Sequence, residues 1–449
     1  MHDHVDIAIL GMGPGGESAA GRLLAAGKRV AVIERELIGG ECAYWACIPS
    51  KTLLRPPEAK VGADRAAGVG GAKLDWVDAR DYRDYMIRHL DDSAQVEDYR
   101  KKGALVIQGE ARIIATGRIQ IDGREVTADH IIIATGAEPL MPWLEGIETI
   151  TAWGNRETFT TADLPGRAVI IGGSAVGCET ATFLARFGTR VTLIHRGVRL
   201  LEREEPRVGE IAEPLLREAG IDIRLNTEAR RARRNGADSI LELSDGTEVS
   251  ADVVIFATGR TPRTHGLGLE TAGVALGEHG QVIVDEHNRA AEGVWAVGDV
   301  TGIMPFTHVA TYHGRIVADA ILGKPRVARH EGIPRVVFTD PEIAAVGLTK
   351  AQADKQGIST ASVEIDLAES IARPWTYEKE PRGKMALLAD TAAGVLIGTW
   401  AIAPLASEWI HQAALAIREH IPIDVLLDQV AQFPTYNEAY LAALEQFKF

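Results

Sequence analysis

The stretch VDIAILGMGPGGESAAGRLLAAGKRVAVIE, from Val5 to Glu34, decides the fold of this chain. It reads as a short apolar strand, a glycine-rich turn, a helix of small and apolar residues, and a second strand that ends on an acid. This order is typical of a dinucleotide-binding unit of the Rossmann type. The sequence therefore predicts a Rossmann-like domain at the beginning of the chain.

The glycines of this turn have separate roles in the predicted site. Gly11 would make the tight turn, Gly13 would let a pyrophosphate approach the backbone, and Gly16 would let the helix pack closely on the strand. Gly15 completes the turn at the helix start, where free amide groups and the positive end of the helix dipole attract phosphates. Glu34, at the end of the second strand, would accept the hydroxyls of an adenosine ribose.

The pattern recurs in the middle of the chain. RAVIIGG leads into the turn GGSAVG, which begins at Gly172 and ends at Gly177, and helical residues and the strand RVTLIHR follow. His195 stands as far after Gly172 as Glu34 stands after Gly11, so the two units superpose in register. The sequence therefore predicts a second dinucleotide site.

The side chains after the last strand of the second unit predict which coenzyme, NADPH or NADH, binds there. An acid in place of His195 would repel a 2′-phosphate, whereas His195, Arg196 and Arg199 would attract one. We therefore expect NADPH at the second site, with NADH less favoured. The alternative is that these side chains are solvated surface charges.

Three further apolar strands end in turns that suit a cofactor. IIIATG contains Thr135 and Gly136, VVIFATG ends on Gly259, and VWAVGDV contains Gly298 and Asp299. The Ala-Thr-Gly ends predict close turns against a cofactor, and Asp299 is placed to accept a sugar or ribityl hydroxyl. The chain thus carries two Rossmann-like units and returns to the first after the second.

Composition bounds the class of protein. The chain of 449 residues is long enough for several domains, and its net charge of -14 argues against nucleic-acid binding and against an anionic membrane surface. We find no signal peptide and no apolar run of membrane length. The 3 cysteines form no disulfide scaffold, so the cytoplasm is the expected location.

Two cysteines, Cys42 and Cys47, lie in the stretch IGGECAYWACIPSK, shortly after the first nucleotide strand. A zinc site would need two more ligands at suitable spacing, and the remaining Cys178 lies in the second nucleotide helix, so no metal is predicted. A purely structural disulfide does not suit a cytoplasmic enzyme. A redox pair fits best, because a helix start after Gly39 and Gly40 would lower the pKa of a thiol.

At this point the motifs carry a family resemblance over nearly the whole chain. Besides the glycine turns and the cysteine stretch, they include TDPEIAAVGLT from Thr339 to Thr349 and a C-terminal FPTYNEAY. The chain resembles the class I flavoprotein disulfide reductases, the family of glutathione reductase, dihydrolipoamide dehydrogenase, mercuric reductase and soluble pyridine nucleotide transhydrogenase. The resemblance implies FAD in the first site, a nicotinamide in the second, and a homodimer made by a C-terminal domain.

The resemblance also implies an α/β fold, with two Rossmann-like dinucleotide-binding domains and a C-terminal α+β dimerisation domain. We expect the FAD-binding domain at residues 1–147 and 265–328, the NAD(P)H-binding domain at residues 148–264, and the dimerisation domain at residues 329–449. Electrons would pass from NADPH through FAD to a small-molecule acceptor.

Four residues take their expected roles from this resemblance. Cys47 resembles the charge-transfer thiol that faces the flavin, and Cys42 resembles the interchange thiol that attacks a substrate disulfide. Lys51 resembles the lysine near the reactive edge of the flavin, paired with a glutamate that is here Glu179. This pair would tune the flavin potential and help to orient the nicotinamide.

The C-terminal motif departs from that of the family's disulfide reductases, which carry His-Pro-Thr and use the histidine as an acid–base across the dimer. Here Phe433 stands at the histidine's place, while Glu438, which would orient it, remains. General acid–base help of this kind contributes roughly 10²–10⁴ in rate. The transhydrogenase branch also lacks the histidine, but it lacks one of the two cysteines as well. No second cysteine pair follows near the C-terminus, which argues against mercuric reductase.

Two further features are unusual for the family. Tyr44 and Trp45 add bulk between the thiols and are expected to narrow access to them. His308 replaces a common proline and is expected near the pyrimidine edge of the flavin, where it would stabilise negative charge. The alternative for His308 is a packing residue at a helix N-terminus.

Three functions are compatible with these residues. The first is an NADPH-dependent flavoenzyme that reduces a disulfide other than glutathione through Cys42 and Cys47. The second is a diaphorase that reduces a quinone, dye, metal ion or oxygen at the flavin, or a pyridine nucleotide transhydrogenase. The third is a binding protein that keeps the cofactor for structure alone. The intact cysteine pair favours the first, whereas Phe433 and the bulky loop favour the second.

Overall fold

The computed structural model describes residues 3–448, and Met1, His2 and Phe449 lie outside this range. The predicted first and last domains begin and end on those residues, so their outermost ends also lie outside the described part. Among residues 3–448, no helix combines the length and the apolar character that crossing a membrane requires.

The strands are short and are numbered here in chain order. They are β1 (Asp3–Leu10), β2 (Val30–Glu34), β3 (Leu105–Gln108), β4 (Ala111–Ala115), β5 (Arg118–Ile121), β6 (Arg124–Ile133), β7 (Ala137–Pro139), β8 (Ala152–Trp153), β9 (Arg167–Ile171), β10 (Arg190–Ile194), β11 (Asp222–Arg224), β12 (Ala229–Asn235), β13 (Asp238–Leu243), β14 (Glu248–Ala251), β15 (Val253–Phe256), β16 (Arg260–Pro262), β17 (Arg289–Ala291), β18 (Val294–Ala296), β19 (Pro334–Val337), β20 (Glu342–Gly347), β21 (Thr360–Asp366), β22 (Lys384–Asp390) and β23 (Val395–Ala403).

The α-helices alternate with these strands in the two nucleotide units. They are α1 (Pro14–Ala25), α2 (Gly40–Tyr44), α3 (Cys47–Arg65), α4 (Trp76–Met86), α5 (Ser93–Lys101), α6 (Asn155–Thr160), α7 (Ala175–Arg186), α8 (Pro206–Glu218), α9 (Thr307–Ile321), α10 (Lys350–Lys355), α11 (Leu367–Ser370), α12 (Arg373–Tyr377), α13 (Ala406–Trp409), α14 (His411–Arg418), α15 (Ile423–Leu427) and α16 (Glu438–Leu444).

The first sheet assembles the first nucleotide unit. Its strands follow the order β17-β18-β6-β1-β2-β3, and β1 pairs in parallel with both β2 and β6. Its central strands β1 and β6 end in apolar runs, because the parallel part of the sheet is covered on both faces, and Ile7 and Ile9 of β1 are fully buried. The strand β18 follows the second unit in the chain but pairs in parallel with β6. The chain therefore returns to the first sheet after it has formed the second nucleotide unit and before it forms the C-terminal region.

The second sheet assembles the second nucleotide unit. Its order is β11-β10-β9-β15-β8, and all of these pairings are parallel. A separate antiparallel sheet of β12, β13 and β14 packs beside it. Because the carboxyl ends of parallel strands meet at one edge, each of the two parallel sheets presents one edge suited to a nucleotide.

The third sheet is antiparallel and belongs to the C-terminal region. Its order is β19-β20-β23-β22-β21. Helices α13, α14 and α16 cover one face, where the Trp409 and Tyr436 rings stack with centroids 5.9 Å apart and Tyr440 Oη donates to the Trp409 carbonyl at 3.2 Å. The two nucleotide units with their parallel strands and the antiparallel third sheet together confirm the predicted α/β class.

Close approach of helix and strand explains the glycines at both turns. Gly11 and Gly172 adopt φ values of 97° and 118°, which side chains disfavour. A Cβ on Gly16 would overlap the Gly11 carbonyl, and a Cβ on Gly177 would overlap the Gly172 carbonyl. The two units therefore have the same turn geometry, which places the N-termini of α1 and α7 beside the strand ends.

Candidate active site

The two cysteines of the first unit meet at one threonine. Cys47 is the first residue of the long helix α3, and Cys42 lies in the short helix α2 that precedes it. Both are free thiols in this structure. Thr307 Oγ1 lies 3.1 Å from Cys42 Sγ and 3.2 Å from Cys47 Sγ. Because Thr307 begins helix α9, three helix N-terminal regions converge on the sulfur pair.

The surroundings shift the pKa values of the two thiols in opposite directions. The hydrogen bond from Cys42 lowers the pKa of Cys47 to about 6, assisted by Thr307 and the Lys51 charge and opposed by burial. The same hydrogen bond raises the pKa of Cys42, and burial adds to that increase. The helix α3 dipole also favours a thiolate at its first residue. Of the reduced pair, Cys47 is therefore the thiolate and Cys42 is the thiol.

An ion pair lies one helical turn after the cysteines. Lys51 Nζ is 2.7 Å from Glu179 Oε2 on helix α7, and it also lies 4.9 Å from the centre of the Phe338 ring. The other oxygen of Glu179, which is almost completely buried, accepts the Phe338 amide at 3.0 Å. The pair predicted from the sequence is thus formed, and it joins residues far apart in the chain.

The first nucleotide edge fits an adenosine pyrophosphate. A Cβ on Gly13 would meet nothing within 4 Å, so the backbone there is open to a ligand. Glu34 Oε2 accepts the Met12 amide at 2.7 Å and Oε1 accepts the Glu36 amide at 2.9 Å, which fixes the carboxylate at the end of β2. Burial raises the pKa of Glu34. Gly15 differs from Gly13, because a Cβ there would meet Val297 and Ala310.

The other predicted contacts of the first site lie at the ends of neighbouring strands. Gly136 and Gly298 have φ values of 70° and 73°, so both turns adopt the left-handed conformation. Thr135 Oγ1 donates to the Arg263 carbonyl at 2.7 Å. Asp299 follows β18, and burial raises the pKa of its carboxyl. The fold therefore brings these residues to the same edge of the first sheet as the Gly11 turn, as an extended dinucleotide requires.

The second nucleotide edge repeats this arrangement with one change. Ser174, at the place of Gly13, caps helix α7, and its Oγ donates to the Ala257 carbonyl at 3.1 Å. Gly259 follows β15 with a φ of 127°. The serine hydroxyl is thus turned toward the sheet, and the helix N-terminus stays available to a second pyrophosphate.

The residues predicted to bind a 2′-phosphate lie together after β10. His195 is mostly buried, Arg196 is exposed, and Arg199 is half-buried. The His195 Nε2 and Arg199 Nε atoms are buried without a hydrogen-bond partner among the described residues. Glu202, which the sequence reading overlooked, also approaches this group: its Oε2 lies 3.7 Å from His195 Nε2.

A charged cluster beside the cysteine loop was also missed from the sequence. Arg156 binds both oxygens of Glu36 at 2.8 Å and Glu41 Oε1 at 3.0 Å through its Nε, and its guanidinium lies 4.0 Å from the Trp45 ring centre. Asn155 Nδ2 donates to the Trp45 carbonyl at 2.8 Å. Helix α6 thus holds the outer side of the loop.

The two aromatic residues of the loop have different surroundings. Tyr44 is fully buried, and its hydroxyl donates to the Ile38 carbonyl at 3.1 Å. Arg88 Nη1 donates to the same hydroxyl at 3.2 Å. Trp45 is only half-buried and lies under Arg156. Tyr44 therefore packs into the domain core, and the bulk that faces outward belongs to Trp45.

His308 follows Thr307 beside the cysteine pair, whereas Glu438 lies in the C-terminal region. The exposed His308 ring stacks on Phe306 with centroids 5.3 Å apart, and its Nε2 is 3.0 Å from the Pro334 carbonyl oxygen. Glu438 begins helix α16 and accepts the Thr435 amide at 3.0 Å. Phe433, just before this helix, is 71% exposed. Their roles at the flavin and in proton transfer stay predictions.

Comparison with protein families covers almost the entire chain. Residues 5–314 match the model of the pyridine nucleotide-disulphide oxidoreductases, and residues 333–444 match the dimerisation domain of the same family. Both nucleotide edges and the cysteine pair lie in the first match. The antiparallel third sheet lies in the second.

Similar proteins agree with this family assignment. Mercuric reductase of Streptomyces lividans is 34% identical over 461 residues, covering 99% of this chain and 97% of that protein. Glutathione reductase of Burkholderia cepacia is 32% identical, covering 92% of each chain. A Cu(II) complex of a cysteine-to-serine variant of RclA, an HOCl-induced flavoprotein disulfide reductase from Escherichia coli, superposes with a TM-score of 0.90 at 27% identity over 100% of both chains. The chain therefore belongs to the pyridine nucleotide-disulphide oxidoreductase family and is an FAD-dependent oxidoreductase that uses a pyridine nucleotide.

Proposed function

We propose that this enzyme passes electrons from NADPH through FAD to a redox-active Cys42–Cys47 disulfide, which reduces a small-molecule disulfide other than glutathione. One observation carries the proposal. Both sulfurs contact Thr307 Oγ1 at 3.1 and 3.2 Å, and the hydrogen bond with Cys42, assisted by Thr307 and Lys51, lowers the pKa of Cys47 to about 6. An asymmetric pair of this kind suits electron transfer, because Cys47 stays ionised on the side of the flavin, whereas Cys42 attacks a substrate only after it has lost its proton.

The residues of the first nucleotide edge would hold the cofactor. Gly11, Gly13 and Gly16 suit the pyrophosphate, Glu34 suits the adenosine ribose, and Asp299 suits a ribityl hydroxyl. FAD, when bound there, supplies the two-electron relay between the nicotinamide and the cysteines. Thr135 and Gly136 would line the same edge, as would Gly15 and Gly298 behind it.

Each cysteine has a separate task in the proposed cycle. NADPH and one proton reduce the Cys42–Cys47 disulfide to two thiols and leave NADP⁺. Cys42 then loses its proton, attacks the acceptor disulfide as a thiolate and forms a mixed disulfide, and the first thiol leaves with that proton. Cys47 then attacks the Cys42 sulfur, and the second thiol leaves with the proton of Cys47. The cysteine disulfide is thereby restored. Lys51, which Glu179 holds in place, favours the Cys47 thiolate during this exchange.

Coenzyme choice is supported by the side chains that follow β10. A 2′-phosphate would satisfy the unpartnered His195 Nε2 and Arg199 Nε atoms and would also attract Arg196. Gly172, Gly177 and Gly259 would hold the pyrophosphate side of the same nucleotide. NADH lacks the 2′-phosphate and would leave these donors unsatisfied.

The acceptor can instead be a molecule that reacts at the flavin itself. Phe433 cannot transfer a proton, so the cysteine route lacks the general acid–base group of the family's disulfide reductases. Similar proteins are mercuric reductases, and RclA has been crystallised with Cu(II), so metal ions join quinones, dyes and oxygen as candidate acceptors. If the acceptor is a second nicotinamide nucleotide, the enzyme is a pyridine nucleotide transhydrogenase.

The enzyme is further proposed to be a homodimer located in the cytoplasm. The C-terminal region matches the family's dimerisation domain, and several apolar side chains there are exposed in one chain: Leu415, Val425, Val430 and Phe433. Burial of such side chains in a dimer is favourable. Phe433 and Glu438 would then face the cysteines of the partner. The domain boundaries at residues 147, 264 and 328 remain proposals of the same kind.

A Cys42→Ser variant tests the proposal against the flavin-centred alternative. The variant should lose disulfide reduction and should keep most of its quinone and dye reduction, because only the first route needs the interchange thiol. Reductive titration should show that the wild type takes up one electron pair more than the variant. Cys178→Ala is the matched cysteine control, since this thiol is buried in helix α7 and bonds to the Gly173 carbonyl, and its loss should change neither activity.

Two results would contradict the proposal. One is a wild-type enzyme that takes up only the electrons of its FAD, which would leave the cysteines outside the electron path. The other is a Cys42→Ser protein that loses quinone reduction as completely as disulfide reduction. The acceptor panel should include disulfides, quinones, Hg(II), Cu(II) and NAD⁺.

A further inference from the structure

The loop that follows β10 is fixed firmly beside the second nucleotide edge. Its backbone exchanges hydrogen bonds with two neighbouring segments: Leu201 N–H donates to the Gly173 carbonyl at 2.9 Å, and Asn226 N–H donates to the Gly197 carbonyl at 2.9 Å. Leu200 and Leu201 are buried in the domain core. The side chain of Glu202 is therefore placed by an ordered backbone.

His195 presents one defined ring nitrogen to Glu202. Its Nδ1 accepts the Gly173 amide at 3.2 Å, so the proton of the neutral ring lies on Nε2. Among residues 3–448, Nε2 has no hydrogen-bond partner, and it faces Glu202 Oε2 across 3.7 Å, which is too long for a hydrogen bond. A donor and an acidic acceptor thus face each other where the ribose of the coenzyme would end.

Gly197 makes room for this arrangement. A Cβ at Gly197 would overlap both Glu202 Oε1 and His195 Nε2. The absence of a side chain lets the carboxylate enter the space beside the imidazole. Arg199 adds to the fixation, because its Nη2 donates to the Glu202 backbone carbonyl at 3.2 Å and not to the carboxylate. The negative charge of Glu202 is therefore not neutralised by Arg199.

We propose that Glu202 relaxes coenzyme specificity by placing a carboxylate where the 2′-phosphate of NADPH would reach His195. NADPH must displace this carboxylate, whereas NADH leaves it in place and offers it a 2′-hydroxyl. The residue therefore weakens the discrimination that His195, Arg196 and Arg199 create, and the enzyme accepts both coenzymes. This inference rests on the proposed NADPH site.

Calorimetry on the FAD-loaded enzyme tests the inference without turnover. The probes are 2′,5′-ADP, which carries the 2′-phosphate, and 5′-AMP, which does not. The Glu202→Gln substitution keeps the shape of the side chain and removes its negative charge. Because a negative charge beside a phosphate opposes binding, 2′,5′-ADP should bind to this variant on the order of tenfold more tightly than to the wild type. The affinity for 5′-AMP should change less than about twofold. In the same variant, the KM for NADPH should fall, whereas the KM for NADH should stay nearly unchanged.

The control is Glu210→Gln on helix α8, whose carboxylate pairs with Arg207 at 3.2 Å and should leave both affinities unchanged. An equal change for both probes in Glu202→Gln would overturn the inference, because it would indicate a structural role in the loop. An unchanged or weaker affinity of Glu202→Gln for 2′,5′-ADP would also overturn the inference. Failure of the wild type and the variant to prefer 2′,5′-ADP over 5′-AMP would refute the NADPH site itself, and the inference with it.

Discussion

Lys51 Nζ lies 2.7 Å from Glu179 Oε2, and this ion pair connects the cysteine helix to the helix of the second nucleotide unit. The second oxygen of Glu179 accepts the Phe338 amide at 3.0 Å, next to the antiparallel third sheet. One buried carboxylate thus touches all three parts of the molecule. Its charge is balanced by Lys51, close to the place where the proposed function brings the nicotinamide and the cysteine pair together.

Replacing Lys51→Met should slow reduction of the enzyme by NADPH roughly tenfold or more, because a charge-assisted hydrogen bond contributes about 1.5–3 kcal/mol. The measurement is the stopped-flow rate of flavin bleaching. Lys60→Met is the control on the same helix, since Lys60 pairs only with Asp64 at the surface. Equal rates in the wild type and Lys51→Met would show that the ion pair has no part in electron transfer.

The ionisation of Cys47 predicts a pH dependence of the half-reduced enzyme. Because the pKa of Cys47 is about 6, the thiolate is present above that pH and is lost as the pH falls through it. The long-wavelength absorbance between this thiolate and the flavin should therefore fade with a midpoint near pH 6. A band that is unchanged between pH 8 and about pH 5 would contradict the assignment.

Removing the Thr307 hydroxyl should raise that midpoint. In Thr307→Val the Cys47 thiolate loses one hydrogen bond, which contributes about 1 kcal/mol, so the midpoint should move up by about half to one pH unit. Thr52→Val on helix α3 is the matched control, because its hydroxyl bonds only to the Ile48 carbonyl. A downward shift in Thr307→Val, or the same shift in both variants, would argue against the contact.

Neutral residues at Arg196 and Arg199 should raise the KM for NADPH far more than that for NADH. A charge-assisted contact to a phosphate contributes about 1.5–3 kcal/mol, so about tenfold or more is expected for each arginine. Steady-state kinetics with both coenzymes measures the split. Similar increases for the two coenzymes would place these arginines outside the 2′-phosphate site.

A histidine at position 433 should restore part of the missing proton transfer. Phe433→His should raise disulfide turnover by about tenfold or more, provided that Glu438 can orient the imidazole in the dimer. Quinone reduction at the flavin should not change. Phe433→Leu controls for the loss of the aromatic ring, and equal disulfide turnover in the two variants would indicate that position 433 does not face the sulfur pair.

The sequence by itself determined the two nucleotide units and their register. Gly11 and Gly172 lie at positive φ, and Gly16 and Gly177 lie where a Cβ would overlap a carbonyl, so only glycine suits these places. Such requirements are local, and they can be recognised in any chain that repeats them. The spacing of Cys42, Cys47 and Lys51 along one loop and helix is equally local.

Only the tertiary structure decided which distant side chains act on these local motifs. Thr307 is separated from Cys47 by 260 positions, and Arg156 from Glu41 by 115, yet each pair is in contact. Glu202 lies close to His195 in the chain, but the sequence did not show that the anchored loop turns its carboxylate toward the imidazole. No local pattern fixes such contacts, because they depend on how helices and strands from separate parts of the chain pack together.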